Sequence, residues 1–192
     1  AARIRDFVQR VRNATPTIPN GVRVRVEAEL PSHAGLGSGT QLGLGVAAGL
    51  RRLAELPALA ATELAPIVGR GARSAVGIHG FDHGGFLIES GRLEQDVISP
   101  LALRVAAPAS WRWLIATPVQ SVGLSGTQEQ QAFGQLPPMP VTTTNELCRV
   151  LLMDWLPAMQ AADVSAASAA LWDYGQAVGA YFAPVQGGVF AD

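Results

Sequence analysis

The stretch that most constrains the fold is a glycine-rich loop, PSHAGLGSGTQ (residues 31–41), set between a strand pattern and a helix pattern. Before the loop, GVRVRVEAEL (21–30) alternates apolar and charged residues, which predicts a strand. After the loop, Leu42, Val46, Leu50 and Leu53 share one helical face, which predicts a helix near 40–56. A loop in this position is either an ordinary tight turn or a cradle for an anion.

The chemistry of the loop is compatible with both alternatives. Glycine at positions 35, 37 and 39 permits positive φ and leaves successive N–H groups to point into a concavity. Ser38 and Thr40 add hydroxyl groups, and the start of the helix adds partial positive charge. The spacing is neither the Walker pattern nor the dinucleotide G-x-G-x-x-G pattern. From these residues alone, the turn and the cradle remain equally open.

The rest of the chain mixes helical and strand patterns without regular alternation, which favours the α+β class. A first helix is predicted from an apolar stripe of Ile4, Val8 and Val11, with Phe7 beside it. The charged residues Arg3, Asp6 and Arg10 lie largely off this stripe. Further helices are predicted near 62–69 from Thr62, from Ser125 through Phe133, from Thr143 with an interruption at Pro157, and from about Asp163. Strands are predicted at GGFLIES, LALRVA and WRWLIATP. Gly45 and Gly49 lie one turn apart and predict that another backbone segment approaches this helix closely.

Composition limits the function classes. A net charge of −1 argues against a general nucleic-acid binder. All 14 basic residues are arginines, so a phosphate or carboxylate would be held by guanidinium groups or backbone N–H groups. The single cysteine, Cys148, fits a reducing cytoplasm and is expected to be buried filler. No stretch has the length and apolarity of a membrane span, so no membrane partner is expected.

The loop resembles a known motif. Pro31-x-x-x-Gly35-Leu36-Gly37-Ser38-Gly39-Thr40 is similar to the phosphate-binding motif of the GHMP kinase superfamily. More narrowly, HAGLGSGTQL, GRGARSAVGIHGFDHGGF, GLSGTQEQQAF and QGGVF resemble the β-ribofuranosylaminobenzene 5′-phosphate synthases of that superfamily. These segments run from His33 to Phe190 and so cover most of the chain.

The resemblance implies a GHMP-kinase-like two-domain fold. It places a ribosomal-S5-like phosphate-binding domain in 1–108 and a ferredoxin-like domain in 109–192. Both parts are expected to be incomplete, because the chain opens in a helical pattern and lacks the family's N-terminal strands and its late glycine-rich motif.

One position separates the kinase alternative from the synthase alternative. The kinases carry S-G-x-D ahead of a glycine pair, and counting back from Gly84-Gly85 the aspartate position is Gly77 in this chain. Loss of a general base slows a reaction roughly 10²–10⁴-fold. We therefore favour the synthase. An ATP-dependent kinase using a displaced carboxylate such as Asp82, and a non-catalytic phosphate- or nucleotide-binding module, remain as alternatives.

The synthase resemblance implies a specific reaction. Phosphoribosyl pyrophosphate would condense with 4-aminobenzoate, or a 4-hydroxybenzoate, with loss of CO2 and pyrophosphate, toward tetrahydromethanopterin. Mg2+ is the implied cofactor, with the Ser38 and Thr40 hydroxyls directed toward it. A homodimer is left open.

The residues nominated for this chemistry lie in two segments. Those for phosphate or substrate binding are His33, Gly35, Leu36, Gly37, Ser38, Gly39, Thr40, Gln41, Arg70 and Arg73. Those for proton transfer are His79, Asp82 and His83. The two arginines could instead be surface residues at a helix end, and any one of the histidines could be structural. Metal chelation by His79 and His83 is disfavoured because Gly80 and Gly84 make a helix there unlikely.

Overall fold

The computed structural model describes residues 2–28, 35–116, 131 and 134–190. The chain forms two compact units, Ala1–Ala106 and Ala107–Asp192, and each is described by itself. Helices dominate both units, and a small antiparallel sheet in the first unit makes the protein α+β, as predicted. None of the helices that the structure describes is both long and apolar enough to cross a bilayer.

The described part of the first unit contains four helices followed by a β-hairpin. The elements are α1 (Ala2–Ala14), α2 (Ser38–Leu53), α3 (Ala61–Ile67), α4 (Val76–His83), β1 (Phe86–Glu89) and β2 (Leu101–Val105). Helix α3 begins one residue before the predicted cap Thr62, and the Glu63 carboxylate accepts the Ala60 N–H at 2.9 Å. Gly69, with φ of 67°, follows the end of α3 as predicted.

The core of this unit is formed where α1 packs on α2. Phe7 and Val11 of α1 are buried with Leu44, Ala47 and other apolar residues of α2 and α3. A methyl group at Gly43 would lie 3.3 Å from the Phe7 ring and from Val68. The Phe7 ring therefore packs directly on the backbone of α2, because position 43 has no side chain.

The hairpin is braced against α4 at both ends. β1 and β2 pair antiparallel, with Phe86 opposite Val105 and a bulge between Ile88 and Glu89. The Glu89 carboxylate accepts the Ala75 N–H at the start of α4. At the other end, Arg104 Nε donates to the carbonyl oxygens of His83 and Gly84 at 3.2 and 3.1 Å.

Two sequence predictions near α2 are wrong. Residues 22–26 carry no strand, because an extended segment needs a pairing partner and no described segment pairs with it. The apolar side chains of Val24 and Val26 are 40% and 46% exposed, and they line a groove of about 500 Å³ along α2. Gly45 and Gly49 are exposed on this groove, and a methyl group at either would meet nothing within 4 Å. The close approach occurs instead at Gly43.

In the described part of the second unit, the regular elements are helices. They are α5 (Val141–Arg149), a π-helical segment (Val150–Trp155), α6 (Leu156–Gln160) and α7 (Val164–Gln186). The predicted interruption at Pro157 takes the form of this π-helical widening just before the proline, which has no N–H for the regular hydrogen-bond ladder. Helix α7 begins next to Asp163 as predicted, and the Asp163 carboxylate caps it by accepting the Ala166 N–H at 3.0 Å.

Other predictions in this unit are wrong or untested. Residues 111–116 of WRWLIATP form no strand and are mostly exposed, with Leu114 96% exposed. Cys148 is exposed rather than buried, because it lies on the outer face of α5 while Leu147 faces inward. The helix predicted from Ser125 through Phe133 lies largely outside the described residues.

We predict that Gly71→Ala lowers the free energy of unfolding by about 1–3 kcal/mol. Gly71 has φ of 99°, a region that an L residue with a side chain rarely adopts, and an added methyl group would collide with Ile98 Cδ1 and lie 3.1 Å from Ile78 Cδ1. Urea unfolding followed by circular dichroism measures the loss. Gly91→Ala is the control, because position 91 has open space, and an equal loss there would contradict the explanation.

Candidate anion-binding site

The glycine loop leads directly into the first turn of α2. Gly35 and Gly37 have φ of 69° and 65°, and a methyl group at either would meet nothing within 4 Å. The N–H groups of Thr40 and Gln41 donate to the Gly37 carbonyl at 2.9 and 3.1 Å. The N–H groups of Ser38 and Gly39 precede this first closed turn, where a helix has no carbonyl of its own to satisfy them. The helix therefore starts with open space beside its positive end.

Two arginines converge on this first turn. A methyl group at Gly39 would collide with Nη2 of Arg3 and lie 3.3 Å from Nη2 of Arg70. Arg3 comes from the first turn of α1, and Arg70 from the segment between α3 and α4. Guanidinium groups can occupy this position only because residue 39 has no side chain.

Arg70 is held in place by packing. Its guanidinium carbon lies 5.5 Å from the centre of the Phe7 ring, a cation–π distance. Its Nε–H is buried and meets no acceptor among the described residues. Burial, followed by the positive charges of Arg3, Arg10 and Arg73, lowers the pKa of Arg70 from its ordinary value, and Asp6 partly opposes this shift. The charged form of Arg70 therefore lies in surroundings that disfavour a cation.

Positive charge predominates around Arg70 in the part of the chain that the structure describes. The guanidinium groups of Arg3, Arg10 and Arg73 act on that of Arg70, and the Asp6 carboxylate opposes them. Asp6 is itself paired with Arg10, at 2.8 Å between Oδ2 and Nε. Arg10 also approaches Gly69, where an added methyl group would lie 2.7 Å from its Nη1. An anion bound beside Gly39 would relieve this repulsion.

Gly77 faces the same turn of α2. Gln41 Nε2 donates to the Gly77 carbonyl at 2.6 Å. A methyl group at position 77 would lie 3.7 Å from Thr40 Cβ and Cγ2, an ordinary contact. A side chain at position 77 would therefore project toward the start of α2, so the residue type there affects the charge of this site.

Residues 76–83 form helix α4, so the prediction that no helix forms there is wrong. The glycine penalty is overcome by tertiary contacts, which hold α4 at several points. His79 is 7% exposed, and its Nε2 is 2.8 Å from the Ser99 carbonyl. The Asp82 carboxylate accepts the Ala61 N–H at 2.8 Å, tying α4 to α3.

These contacts give His79 and Asp82 structural roles, whereas His83 is exposed at the end of α4. Their part in proton transfer stays a prediction. Within 2–28, 35–116, 131 and 134–190, no three His, Cys, Asp or Glu side chains gather in a way that could hold a metal ion.

The structure brings together some nominated residues and adds others. Gly39, Thr40, Gln41 and Arg70 lie around the first turn of α2, and Arg73 lies within electrostatic reach of Arg70. His33 lies outside the described residues. Sequence reasoning missed Arg3 and Arg10. Their spacing, at positions 3 and 10 with Asp6 between them, places all three on one helical face and could have revealed the cluster.

A match to a known family covers the glycine loop and the elements around it. Residues 2–88 match the family model described as the GHMP kinases N terminal domain. This segment is therefore similar to the N-terminal domain of the GHMP kinases, which confirms the resemblance drawn from the loop.

The chain is also similar to synthases. The β-ribofuranosylphenol 5′-phosphate synthase of Methanothermobacter thermautotrophicus is 35% identical over 155 residues, covering 73% of this chain and 46% of that protein. Proteins of the same name from Archaeoglobus fulgidus and Methanocaldococcus jannaschii are 34% and 30% identical, over 75% and 72% of this chain. The chain spans about half the length of these curated relatives.

We predict that His79→Ala lowers the free energy of unfolding by about 1–3 kcal/mol, because it removes a buried ring and leaves the Ser99 carbonyl without that partner. His83→Ala is the matched control on the same helix and should change stability by less than about 0.5 kcal/mol. Chemical denaturation of both variants measures the difference. Equal stabilities would show that the His79–Ser99 contact contributes little to the fold.

Proposed function

We propose that this chain forms the phosphate-binding part of a synthase that condenses phosphoribosyl pyrophosphate with a 4-substituted benzoate, releasing CO2 and pyrophosphate, in tetrahydromethanopterin biosynthesis. The observation that carries this proposal is the convergence of Arg3 and Arg70 on the glycine-started turn of α2, opposite a glycine at position 77. The similarity to named synthases supports the same reaction class, a transfer of a pentosyl group.

The site residues suit a leaving pyrophosphate. As the bond from ribose C1 to the pyrophosphate oxygen breaks, negative charge grows on the leaving group. The N–H groups at the start of α2 and the guanidinium of Arg70 are already oriented and need little rearrangement to stabilise that charge. In this proposal Arg73 assists from the same side, since it lies near enough to lower the pKa of Arg70.

The acceptor is attacked at the ring carbon that carries the carboxylate. The new C–C bond forms there, and the electron pair of the bond to the carboxylate returns to the ring as CO2 leaves. Aromaticity is thus restored without loss of a ring proton. A base is then needed only for the substituent opposite the carboxylate, and His79, Asp82 and His83 are the proposed candidates.

The names of the relatives bear on which benzoate is used. A ribofuranosylphenol product would arise from a 4-hydroxybenzoate, and 4-aminobenzoate would give the aminobenzene. We propose the 4-hydroxybenzoate as the first acceptor to test, with 4-aminobenzoate beside it. Deprotonating the 4-hydroxyl makes the ring more nucleophilic, which is a defined task for a base.

Mg2+ fits this site in one particular way. Mg2+ is usually bound through one or two carboxylates together with substrate phosphates. The described part of the chain gathers no acidic cluster, whereas Ser38 and Thr40 offer hydroxyls on the first turn of α2. We propose that Mg2+ arrives with the diphosphate and that these two hydroxyls contact it. When bound it would supply additional positive charge to the leaving group.

The kinase alternative rests on position 77 and on Asp82. Gly77 carries no carboxylate at the point facing Thr40. Asp82, the displaced candidate, is exposed, but its carboxylate accepts the Ala61 N–H and is already engaged in the fold. Both observations favour the synthase over the kinase.

Other features of the proposal come from the resemblance. They are a ribosomal-S5-like N-terminal part and a ferredoxin-like C-terminal part. A cytoplasmic location is proposed from the single cysteine, and a homodimer is left open.

The direct test incubates the whole protein with phosphoribosyl pyrophosphate, Mg2+ and each benzoate, and measures CO2 from carboxyl-labelled substrate. CO2 released with one equivalent of pyrophosphate is the expected result. ADP formed from ATP and a small alcohol, without CO2, would favour the kinase. Anion binding with neither activity would favour the non-catalytic module.

We predict that Arg73→Lys lowers turnover at least about tenfold while the free energy of unfolding changes by less than about 0.5 kcal/mol. Lysine keeps the charge but cannot bind an anion through two parallel N–H groups. CO2 release and urea unfolding are measured on the same preparation. Losses of similar free energy in both would mean that Arg73 serves the fold.

We predict that Gly77→Asp folds but binds inorganic pyrophosphate at least about tenfold more weakly, because the new carboxylate lies at the start of α2. Gly77→Asn is the control of equal size without charge and should lose less. Titration calorimetry measures both. Equal losses would indicate a steric rather than an electrostatic effect.

A further inference from the structure

The arginines of α1 belong to none of the motifs that define the loop. Arg3 and Arg10 lie seven residues apart and therefore on the same side of α1, beside the buried Phe7. That side faces the segment carrying Arg70, since Phe7 stacks against Arg70 and Arg10 approaches Gly69. Arg3 and Arg10 of α1 therefore lie next to Arg70, although they belong to a different element from the glycine loop and from Arg70.

Gly39 is where Arg3 and Arg70 meet the loop. Its N–H belongs to the first turn of α2, and the space that its missing side chain leaves is taken by the guanidinium groups of Arg3 and Arg70. A single phosphate at the helix start would engage the N–H groups of that turn. The guanidinium groups lie beside it and could hold a second phosphate joined to the first.

We propose that Arg3 of α1, together with Arg70, forms a second anion subsite beside Gly39, so that the site selects a substrate carrying a diphosphate over one carrying a single phosphate. This inference rests on the proposed function only for the identity of the diphosphate, the pyrophosphate group of phosphoribosyl pyrophosphate. The subsite itself rests on the positions of the guanidinium groups of Arg3 and Arg70, while Asp6 is paired with Arg10.

The packing explains why the arginines remain together without an anion. Phe7 fixes α1 on α2 at Gly43, and Arg3 lies one helical turn before Phe7, as Gly39 lies one turn before Gly43. The same contact that forms the core therefore brings Arg3 to the start of α2. Asp6 prevents full repulsion by pairing with Arg10, which leaves Arg3 and Arg70 to face the ligand.

Titration calorimetry with inorganic pyrophosphate and, separately, inorganic phosphate tests this subsite. Wild-type protein should bind pyrophosphate more tightly than phosphate. Arg3→Gln should weaken pyrophosphate binding at least about tenfold and phosphate binding much less. Arg5→Gln on the same helix is the control and should bind both as wild type, because Arg5 is exposed and lies outside the cluster.

A second pair of variants changes Arg3 without removing it. Gly39→Ala keeps the backbone N–H but should displace the Arg3 guanidinium, and it should reproduce the selective loss of pyrophosphate. Gly45→Ala on the same helix has open space and should change nothing. Both variants should fold, because alanine has a higher helix propensity than glycine.

The possible results separate this inference from the proposed reaction. No pyrophosphate binding by the wild type, no preference over phosphate, or equal binding by wild type and Arg3→Gln would overturn the subsite. If binding depends on Arg3 but neither benzoate yields CO2, the subsite stands and the proposed reaction fails. If CO2 is released while Arg3→Gln binds pyrophosphate normally, the reaction stands and the subsite fails.

Discussion

The contact between Phe7 and the bare backbone at Gly43 is the interaction on which the first unit depends. It buries the largest side chain of α1 in the core and lets the helix lie close to α2. The same ring also packs against Arg70, whose guanidinium carbon lies 5.5 Å from the ring centre. One aromatic side chain thus links the hydrophobic core to the charged site, so the arginines are positioned by burial of apolar surface.

The site combines features that are individually ordinary. A helix start attracts anions weakly, by about 0.3–1 kcal/mol at an exposed position. Burial, followed by the charges of the neighbouring arginines, lowers the pKa of Arg70, so its cation is disfavoured in the absence of an anion. Together at Gly39 these features become complementary, because an anion there would satisfy the helix start and the guanidinium groups at once. The absent side chains at Gly39 and Gly77 matter as much as the side chains present, since they set the available space and charge.

Sequence reasoning succeeded where local pattern and function coincide. The helix after the glycine loop, the hairpin strands and the start of α7 near Asp163 follow from residue types and spacing. It failed at 22–26 and 111–116, because strand patterns need a partner strand that only the folded chain can supply. It also failed at α4, where the contacts of His79 and Asp82 with distant residues outweigh two glycines. Arg3 was missed because its importance depends on which residue of α2 lies opposite.

A crystal structure of the protein grown with inorganic pyrophosphate tests the central claim most directly. The arrangement predicts a diphosphate at the start of α2, with one phosphate within hydrogen-bond distance of the Ser38 and Gly39 N–H groups and the other on the guanidinium groups of Arg3 and Arg70. A diphosphate bound elsewhere, or at the helix start with Arg3 turned away from it, would contradict the claim.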